Sequence, residues 1–578
     1  MYNKEEFTEE NVENKIEEIT SEFKKVLERE KLDEYDIKII ICYCLWKVKN
    51  DTSIRTVDDL DEKGCLREGM NFYDSIYGDV SSLFREYPEE WNKLFLVASR
   101  YSESELAECV LKSKYYNDNT YEIMPQGIAG IVDKLLEIED GDRVIQFNCE
   151  IGELINEELL CIHPRTYFTG YSEIAVSGLI FASIKADIMR HKLLVLTDSI
   201  LDDNNFGHYD KALVSTFINT NREKNGYSEL NYLLKEVWAD FPDDTSEAWK
   251  MIGCAVKSVK NNGKVIAIVN GGEITVKQTE SARKIMVDNG YIDTVIALPD
   301  KLYSDTWVNS YIIVFGSNCE KIKFYDARKK FATGRVKGKR INIIDSDAIE
   351  KIISGIDNLK LSKFVTRKEV QENNYNLNPA LYTVDDFAEN VQKIELGKLI
   401  NGVKRGMSLS AIEMDEVITE VISDTKCIIP SSISEGVVLS DLYYDGKKIK
   451  NGKNTALSGN ILISKSGKPF KVAVTDDSYL VIGNIYILEV DNSIVSSEYI
   501  KCFLSSKMGQ LEIERLSVGP KTKVINIDDV RRIRIPVFTG DRQKKLNEKS
   551  KKIIEIIESS HKKINDAINE LNMMFLGE

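Results

Sequence analysis

The stretch GDRVIQFNCEIGELI, Gly141 to Ile155, decides how the chain is read. Val144 and Ile145 form the centre of a short buried strand, and the residues after it turn into a new helix. In a doubly wound sheet, that strand-to-helix turn is where a nucleotide-like cofactor sits. Such turns usually carry several glycines, which let the backbone come close to a ligand. Here only Gly152 is present, flanked by Glu150 and Glu153. The residues alone leave three readings open: a cofactor loop, a ruined one, or no such loop at all.

Outward from this loop the pattern alternates. The runs RVIQF, TYFTGY, KLLVLTD, DKALVST, GKVIAIVN, IDTVIALP and SYIIVFG are short and apolar. Helical segments such as EIAVSGLIFASIKADIMRH and SEAWKMIGCAVKSVKNN separate several of them. This order predicts a mostly parallel sheet with helices on both faces, an α/β fold. The last two runs are too close for a helical crossover, so they are expected to pair antiparallel at the sheet edge.

Before about residue 118 the chain reads as helical. VENKIEEITSEFKKVLERE places Val12, Ile16, Ile19 and Phe23 at three- and four-residue spacing. YDIKIIICYCLWKV is a more buried helix, and Ser102 with Glu105 makes a capping pair for SESELAECVLKS. Residues 319 to 392 are mixed and polar, a connecting region. From about Ile394 the runs NILISK, FKVAVT, YLVIGNIYILEV and IRIPVF alternate with glycine turns. A long helix begins near Asp541. Leu546, Ile553, Ala567 and Met574 share one heptad position in it, and Ile557, Ile564 and Leu571 another. That stripe fits either a core helix or a pairing surface.

The bulk properties set limits. The 578 residues suffice for several domains, and the chain is 43% apolar and 29% charged, as globular proteins are. No run of 18 apolar residues occurs, and the acidic N-terminus MYNKEEFTEENVENKIEEI is no secretory signal. The ten cysteines form no CxxC pair and read as reduced thiols of a cytoplasmic protein. The four histidines show no metal-ligand spacing, so no metal site is expected. The net charge of −16 is uneven: residues from Lys393 onward hold 28 basic and 25 acidic side chains, against 49 and 68 before them. The C-terminal third is a different electrostatic object.

Several stretches together carry a family resemblance. YEIMPQGIAGIVDKLLEI, with Pro125, precedes the cofactor strand; GYSEIAVSGLIFASIKADIM, LTDSILDD, VKNNGKVIAIVNGG, DTVIALPDKLYSDTWVNSYIIVF and the asparagine-rich ENNYNLNPALYT follow it. This region resembles the modification (methyltransferase) subunits of type I restriction systems, which methylate adenine N6 in DNA. The C-terminal stretches LSGNILISKSGKPFKVAV, YIKCFLSSKMGQ and INIDDVRRIRIPVFTGDRQKKLNEKSKKI resemble half of a type I specificity subunit. The resemblance implies a helical N-terminal domain (1–118), a Rossmann-like methyltransferase domain (119–330), its connecting region and tail (331–392), an α+β target-recognition domain (393–540) and a long helix (541–578).

It also implies site residues. The family's acidic residue followed by Pro-x-Cys-Gly-x-Gly falls on Gln146, Phe147, Asn148, Cys149, Glu150, Ile151 and Gly152, so only Cys149 and Gly152 match. Glu173, one residue out of register, and Asp198 are the remaining candidates to hold S-adenosylmethionine, toward ribose and adenine. In the family's catalytic motif an asparagine side chain and the next carbonyl accept from the adenine amine, and an aromatic ring stacks on the extruded base. Here Tyr209 and Asp210 match the start of that strand, and the motif falls on Ser215, Thr216, Phe217 and Ile218. The asparagine, both prolines and the terminal aromatic are gone.

In the recognition half, Lys404, Arg405, Lys465, Lys468, Lys471, Lys521 and Lys523 lie in or beside turns and are candidates for phosphate contacts; Lys447, Lys448, Lys450 and Lys453 share that setting. Two functions stay open: a DNA-binding modification-like protein whose methylation is degenerate or lost, and a working adenine-N6 methyltransferase with its own recognition domain. The expected partners are duplex DNA, a second copy of the chain through the C-terminal helix, and restriction or modification subunits.

Overall fold

The computed structural model describes residues 9–23, 27, 34–59, 84–111, 113, 127–149, 163, 165–171, 176–191, 193–196, 206–216, 228–302, 309–328, 331–336, 339–344, 361–383, 391–434, 436–446, 453–517, 519 and 522–576. They fall into two compact units, Met1–Pro379 and Ala380–Glu578.

The first unit is built on one sheet. Its strands are β1 (Arg143–Phe147), β2 (Tyr167–Tyr171), β3 (Leu193–Leu196), β4 (Tyr209–Ser215), β5 (Val259–Asn270), β6 (Ile292–Ala297), β7 (Ser310–Phe315) and β8 (Lys321–Asp326). A hairpin of β9 (Ala332–Val336) and β10 (Lys339–Ile343) stands apart, and β11 (Ser362–Thr366) returns to the main sheet. The order is β11-β8-β6-β7-β5-β4-β1-β2-β3. Strands β1 to β5 are mutually parallel, β6 and β8 are parallel, and β7 and β11 run against their neighbours. The sheet is thus mixed and mostly parallel, with the order reversing beside β1.

Both faces are covered, as the unbroken apolar runs require. Helix Ile128–Leu136 shares a core with Val144, Leu213 and Ile266. Helix Glu247–Ser258 packs on β4 and β5 from the other side, where the Trp249 ring meets Phe315 edge-on at 6.4 Å. Ser246 caps that helix by accepting from the Trp249 amide.

Two sequence expectations change. The antiparallel pair β6–β7 forms, but β7 lies inside the sheet, between β5 and β6. Every residue of SYIIVF is buried, a pattern that an edge strand would leave half exposed. The polar region after residue 319 supplies β8 and β11, which extend the sheet rather than merely connecting. The N-terminal helices share the first unit: Ile184 and Ile188 of helix Val176–Ile188 join their core, and Asp187 accepts from Tyr43 Oη at 2.7 Å and pairs with Lys47 at 2.5 Å.

Arg283 closes the unit. It is 1% exposed and donates to the carbonyls of Glu273, Val276 and Tyr375 and to the Thr279 hydroxyl. The asparagine-rich segment is thereby fastened to the sheet body, with Leu377 N–H donating to the Ile274 carbonyl at 3.0 Å.

The second unit contains a four-stranded antiparallel sheet in the order Ile400–Arg405, Ile485–Val490, Ile461–Ser464, Val472–Val474. A smaller sheet pairs Tyr479–Val481 with Cys427–Ile428 and Thr455–Ala456. Helices Ser497–Ser505 and Lys507–Leu516 follow, and helix Asp541–Leu576, 36 residues long, packs against the former. Among the described residues no helix is long and apolar enough to cross a membrane.

Candidate functional site

The parallel registers bring the carboxyl ends of β1, β2 and β4 level: Phe147 stands beside Tyr171 on one side and Val214 on the other. The crevice outside such ends, where the strand order reverses, is the ligand position of a doubly wound sheet. Cys149, Ser215 and Thr216, three of the sequence candidates, are brought to it. Glu150, Gly152, Glu173, Asp198, Phe217 and Ile218 lie outside the described residues.

Among the described residues, the polar side chains at this point include no carboxylate and are mostly buried. Cys149 is buried, and its amide donates to the Tyr171 carbonyl at 2.9 Å. Gln146, where the family resemblance expects an acid, is 1% exposed. Asn148 takes the left-handed conformation, φ 54°, which asparagine tolerates better than most residues. Its Nδ2 crosses to β4 and donates to the Ser215 carbonyl at 2.9 Å, while its Oδ1 is buried without a partner. The Thr216 amide and hydroxyl both donate to the Ile268 carbonyl, at 3.2 and 2.8 Å. Ser215 is half-buried.

These links tie β1, β4 and β5 together at the crevice. Asn148 is the residue the motif reading passed over. An asparagine directly after a strand, at a turn, was the available signal.

Tyr209 and Asp210 sit at the opposite end of β4. Burial raises the Tyr209 phenol. Burial also pushes the Asp210 carboxyl up, but Lys260 at 2.5 Å and the Arg143 amide at 3.0 Å outweigh it and hold the group below its ordinary value. Asp210 is a fastening between β4, β5 and β1, remote from the crevice.

In the second unit, the loop joining Ile461–Ser464 to Val472–Val474 carries Lys465, Lys468 and Lys471. Its main chain is held at several points. Gly467 N–H donates to the Lys523 carbonyl at 3.0 Å, Ile525 N–H to the Lys465 carbonyl at 3.0 Å, and Phe470 N–H to Gln510 Oε1 at 2.7 Å. Gly467 has φ 151°, and a Cβ there would lie 2.8 Å from the Pro469 carbonyl, so the turn requires glycine.

The candidate cations differ in freedom. Lys404 pairs with Glu489 at 2.6 Å, Lys471 donates to the Pro430 carbonyl at 2.8 Å, and Lys523 is buried. Lys468 is exposed, 4.0 Å from Glu514. Arg405 and Lys465 make no ion pair among the described residues. Lys453 is exposed; Lys447, Lys448, Lys450 and Lys521 lie outside the described residues.

Beneath the loop, Glu512 is buried between Arg515 at 3.1 Å and Arg534, whose Nε lies at 3.1 Å. Burial pulls the Arg515 guanidinium down to about 10 despite this carboxylate.

Residues 193–390 match the N-6 DNA Methylase family. The chain is similar to N-6 DNA methylases. The match includes β4 with Ser215 and Thr216 and the asparagine-rich segment; the Gly141–Ile155 loop precedes it. The methylase-like chain is 22% identical over 310 residues to the type I restriction enzyme MjaVIII methylase subunit of Methanocaldococcus jannaschii, covering 48% of this chain and 51% of that one. It is 33% identical over 110 residues to the MpnII methylase subunit of Mycoplasma pneumoniae, covering 18% and 20%.

The chain spans about half the length of the longer of these curated matches. Among solved structures, the type I methyltransferase subunit of Streptococcus thermophilus aligns with a TM-score of 0.43 and 19% identity, over 64% of this chain and 84% of that one. The type IIG restriction endonuclease BpuSI aligns with a TM-score of 0.47 and 12% identity, over 94% and 74%.

Proposed function

We propose that the protein is a DNA-binding relative of type I modification subunits, fused to a specificity-like recognition unit, in which adenine-N6 methylation is lost. The observation that carries the reading is Ser215, half-buried at the end of β4 in the place of the family's catalytic asparagine. Its hydroxyl lacks the asparagine amide, the Thr216 hydroxyl is turned to Ile268, and Gln146 supplies no charge. The described residues therefore do not fit S-adenosylmethionine as the family uses it. No carboxylate at Gln146 meets the cofactor, and neither Ser215 nor Thr216 offers the asparagine amide that accepts from an adenine amine.

Calorimetry of the full chain with S-adenosylmethionine is expected to show no binding in the micromolar range, while duplex DNA is retained with an affinity that falls steeply with salt. Micromolar cofactor binding together with methyl transfer to DNA would overturn the reading in favour of a working adenine methyltransferase, which the family match at residues 193–390 favours.

The DNA contact is assigned to the second unit, on the exposed Arg405 and Lys468 and the half-buried Lys465. The first part of helix Asp541–Leu576 is used within its own unit, where Ile554 is buried. Ile564, Ile568, Leu571 and Phe575 then form an exposed stripe at heptad spacing. Burying each aliphatic member is worth roughly 1.5–3 kcal/mol. A two-fold dimer through antiparallel copies of this helix would supply two recognition units. Changing Ile564 and Leu571 to Asp should give a folded monomer in sedimentation; a wild-type chain that sediments as a monomer ends the dimer. Restriction or modification subunits of the kind named for the relatives are the remaining expected partners.

A further inference from the structure

At the end of the sheet opposite the crevice, a cleft of about 610 Å³ opens at the amino ends of β4, β5 and β6. That volume lies within the range of small-molecule sites. Its polar lining includes Lys257, Lys260, Asn261, Asn262, Asn289, Ser317 and Asn318, and among the described residues no carboxylate lines it. In a region that carries an excess of acidic side chains, this is a local reversal of charge. Tyr291 and Phe206, both half-buried, add aromatic walls.

Lys257 is the unusual member. Its ammonium lies 4.3 Å from the centroid of the Trp238 ring, which is itself braced by Tyr291 at 5.4 Å. Burial holds it below the ordinary lysine value. Lys260 has Asp210 as its partner; Lys257 has neither a carboxylate nor a hydrogen-bond acceptor among the described residues. A partly desolvated cation answered only by an aromatic face is one that an incoming anion would stabilise.

The amides have a complementary use. Asn261, Asn262 and Asn318 each present a donor and an acceptor side by side, the pattern that reads the edge of a nucleobase, while Asn289 Nδ2 already donates to the Ile285 carbonyl at 2.8 Å. An aromatic wall gives such a base a surface to stack on.

We propose that this cleft is a second ligand site, which takes a mononucleotide: the phosphate on Lys257, the base between the aromatic wall and the asparagine amides. It is separate from the crevice at Asn148 and does not depend on whether the crevice holds a cofactor.

The test is hydrogen–deuterium exchange of the full chain with adenosine monophosphate, adenosine and inorganic phosphate. Adenosine monophosphate should slow exchange in residues 257–263 and 315–318, with adenosine and inorganic phosphate each at least about tenfold weaker, the equivalent of about 1.4 kcal/mol. Lys257→Met, which keeps the stem and removes the charge, should weaken the effect by about the same factor with an unchanged melting temperature. Should that variant unfold, Asn262→Asp, at an exposed position, serves in its place by adding a repelling charge. No protection at 257–263, protection confined to 143–149, or equal protection by adenosine or by inorganic phosphate would each overturn the proposal. So would full protection in the folded variant.

Discussion

The crevice at the ends of β1 and β4 and the lysine loop of the second unit use opposite parts of their residues to hold their shape. In the crevice the side chains do it: Asn148 Nδ2 and Thr216 Oγ1 reach the carbonyls of neighbouring strands. In the loop the main chain does it, through Gly467, Phe470 and the Lys465 carbonyl, which leaves the Lys468 ammonium at the surface. A polar residue committed to the fold is not available to a ligand. On the function proposed above, the difference separates a crevice whose polar side chains hold the fold from a loop whose exposed lysine stays available to a ligand.

The largest test of this contrast strikes beneath the loop. Glu512→Ala leaves Arg515 and Arg534 without their shared carboxylate, and removing one partner of a buried pair costs about 3–5 kcal/mol. Urea unfolding should show that loss in the second unit alone. DNA binding should fall with it, because Gln510, which holds Phe470, is on the same helix. Unchanged stability would mean that the loop does not depend on this cluster.

Next in size is the crevice. Asn148→Val forfeits a hydrogen bond worth about 1 kcal/mol and places a β-branched residue in the left-handed region at a further cost of about 1–2 kcal/mol. Asn148→Gly loses only the bond and should stay within about 1 kcal/mol of wild type. Thermal unfolding of both variants checks the order. If DNA affinity moves as much as stability does, the crevice is not merely structural.

The smallest effect on folding belongs to the loop lysines. Lys465→Ala with Lys468→Ala should leave stability within about 0.5 kcal/mol, yet flatten the salt dependence of DNA binding by about one unit of log–log slope per lysine. Lys404→Ala, whose ammonium is paired with Glu489, should flatten it less. Equal slopes for the paired and unpaired lysines would erase the distinction.

The core of the fold was legible because buried parallel strands have a plain signature. RVIQF became Arg143–Phe147 and IAGIVDKLLEI became helix Ile128–Leu136. The position of β7 was not legible: strand order depends on pairings between distant segments, and an apolar run says that a strand is buried without naming its neighbours. Of the candidate residues, the sequence placed Cys149, Ser215 and Thr216 at the ends of strands, and the registers of β1 and β4 bring those ends level. What those residues do there was hidden, because a hydrogen bond across 67 positions of sequence, as between Asn148 and Ser215, leaves no local pattern. The lysines misled in a related way. A count of charges cannot tell Lys404, neutralised by Glu489, from Lys465.

The placement of β7 between β5 and β6 also bears on how the protein is made. On a ribosome, β5 and β6 emerge before the strand that will join them, and both keep an unpaired edge until Phe315 follows Ala297 out. Eighteen residues separate the two, roughly one to four seconds of synthesis. Throughout that interval one edge of β5 and both edges of β6, whose other neighbour β8 emerges later still, can template wrong pairings. The inserted strand that later makes the sheet continuous thus leaves it, briefly, most open to aggregation while it is being translated.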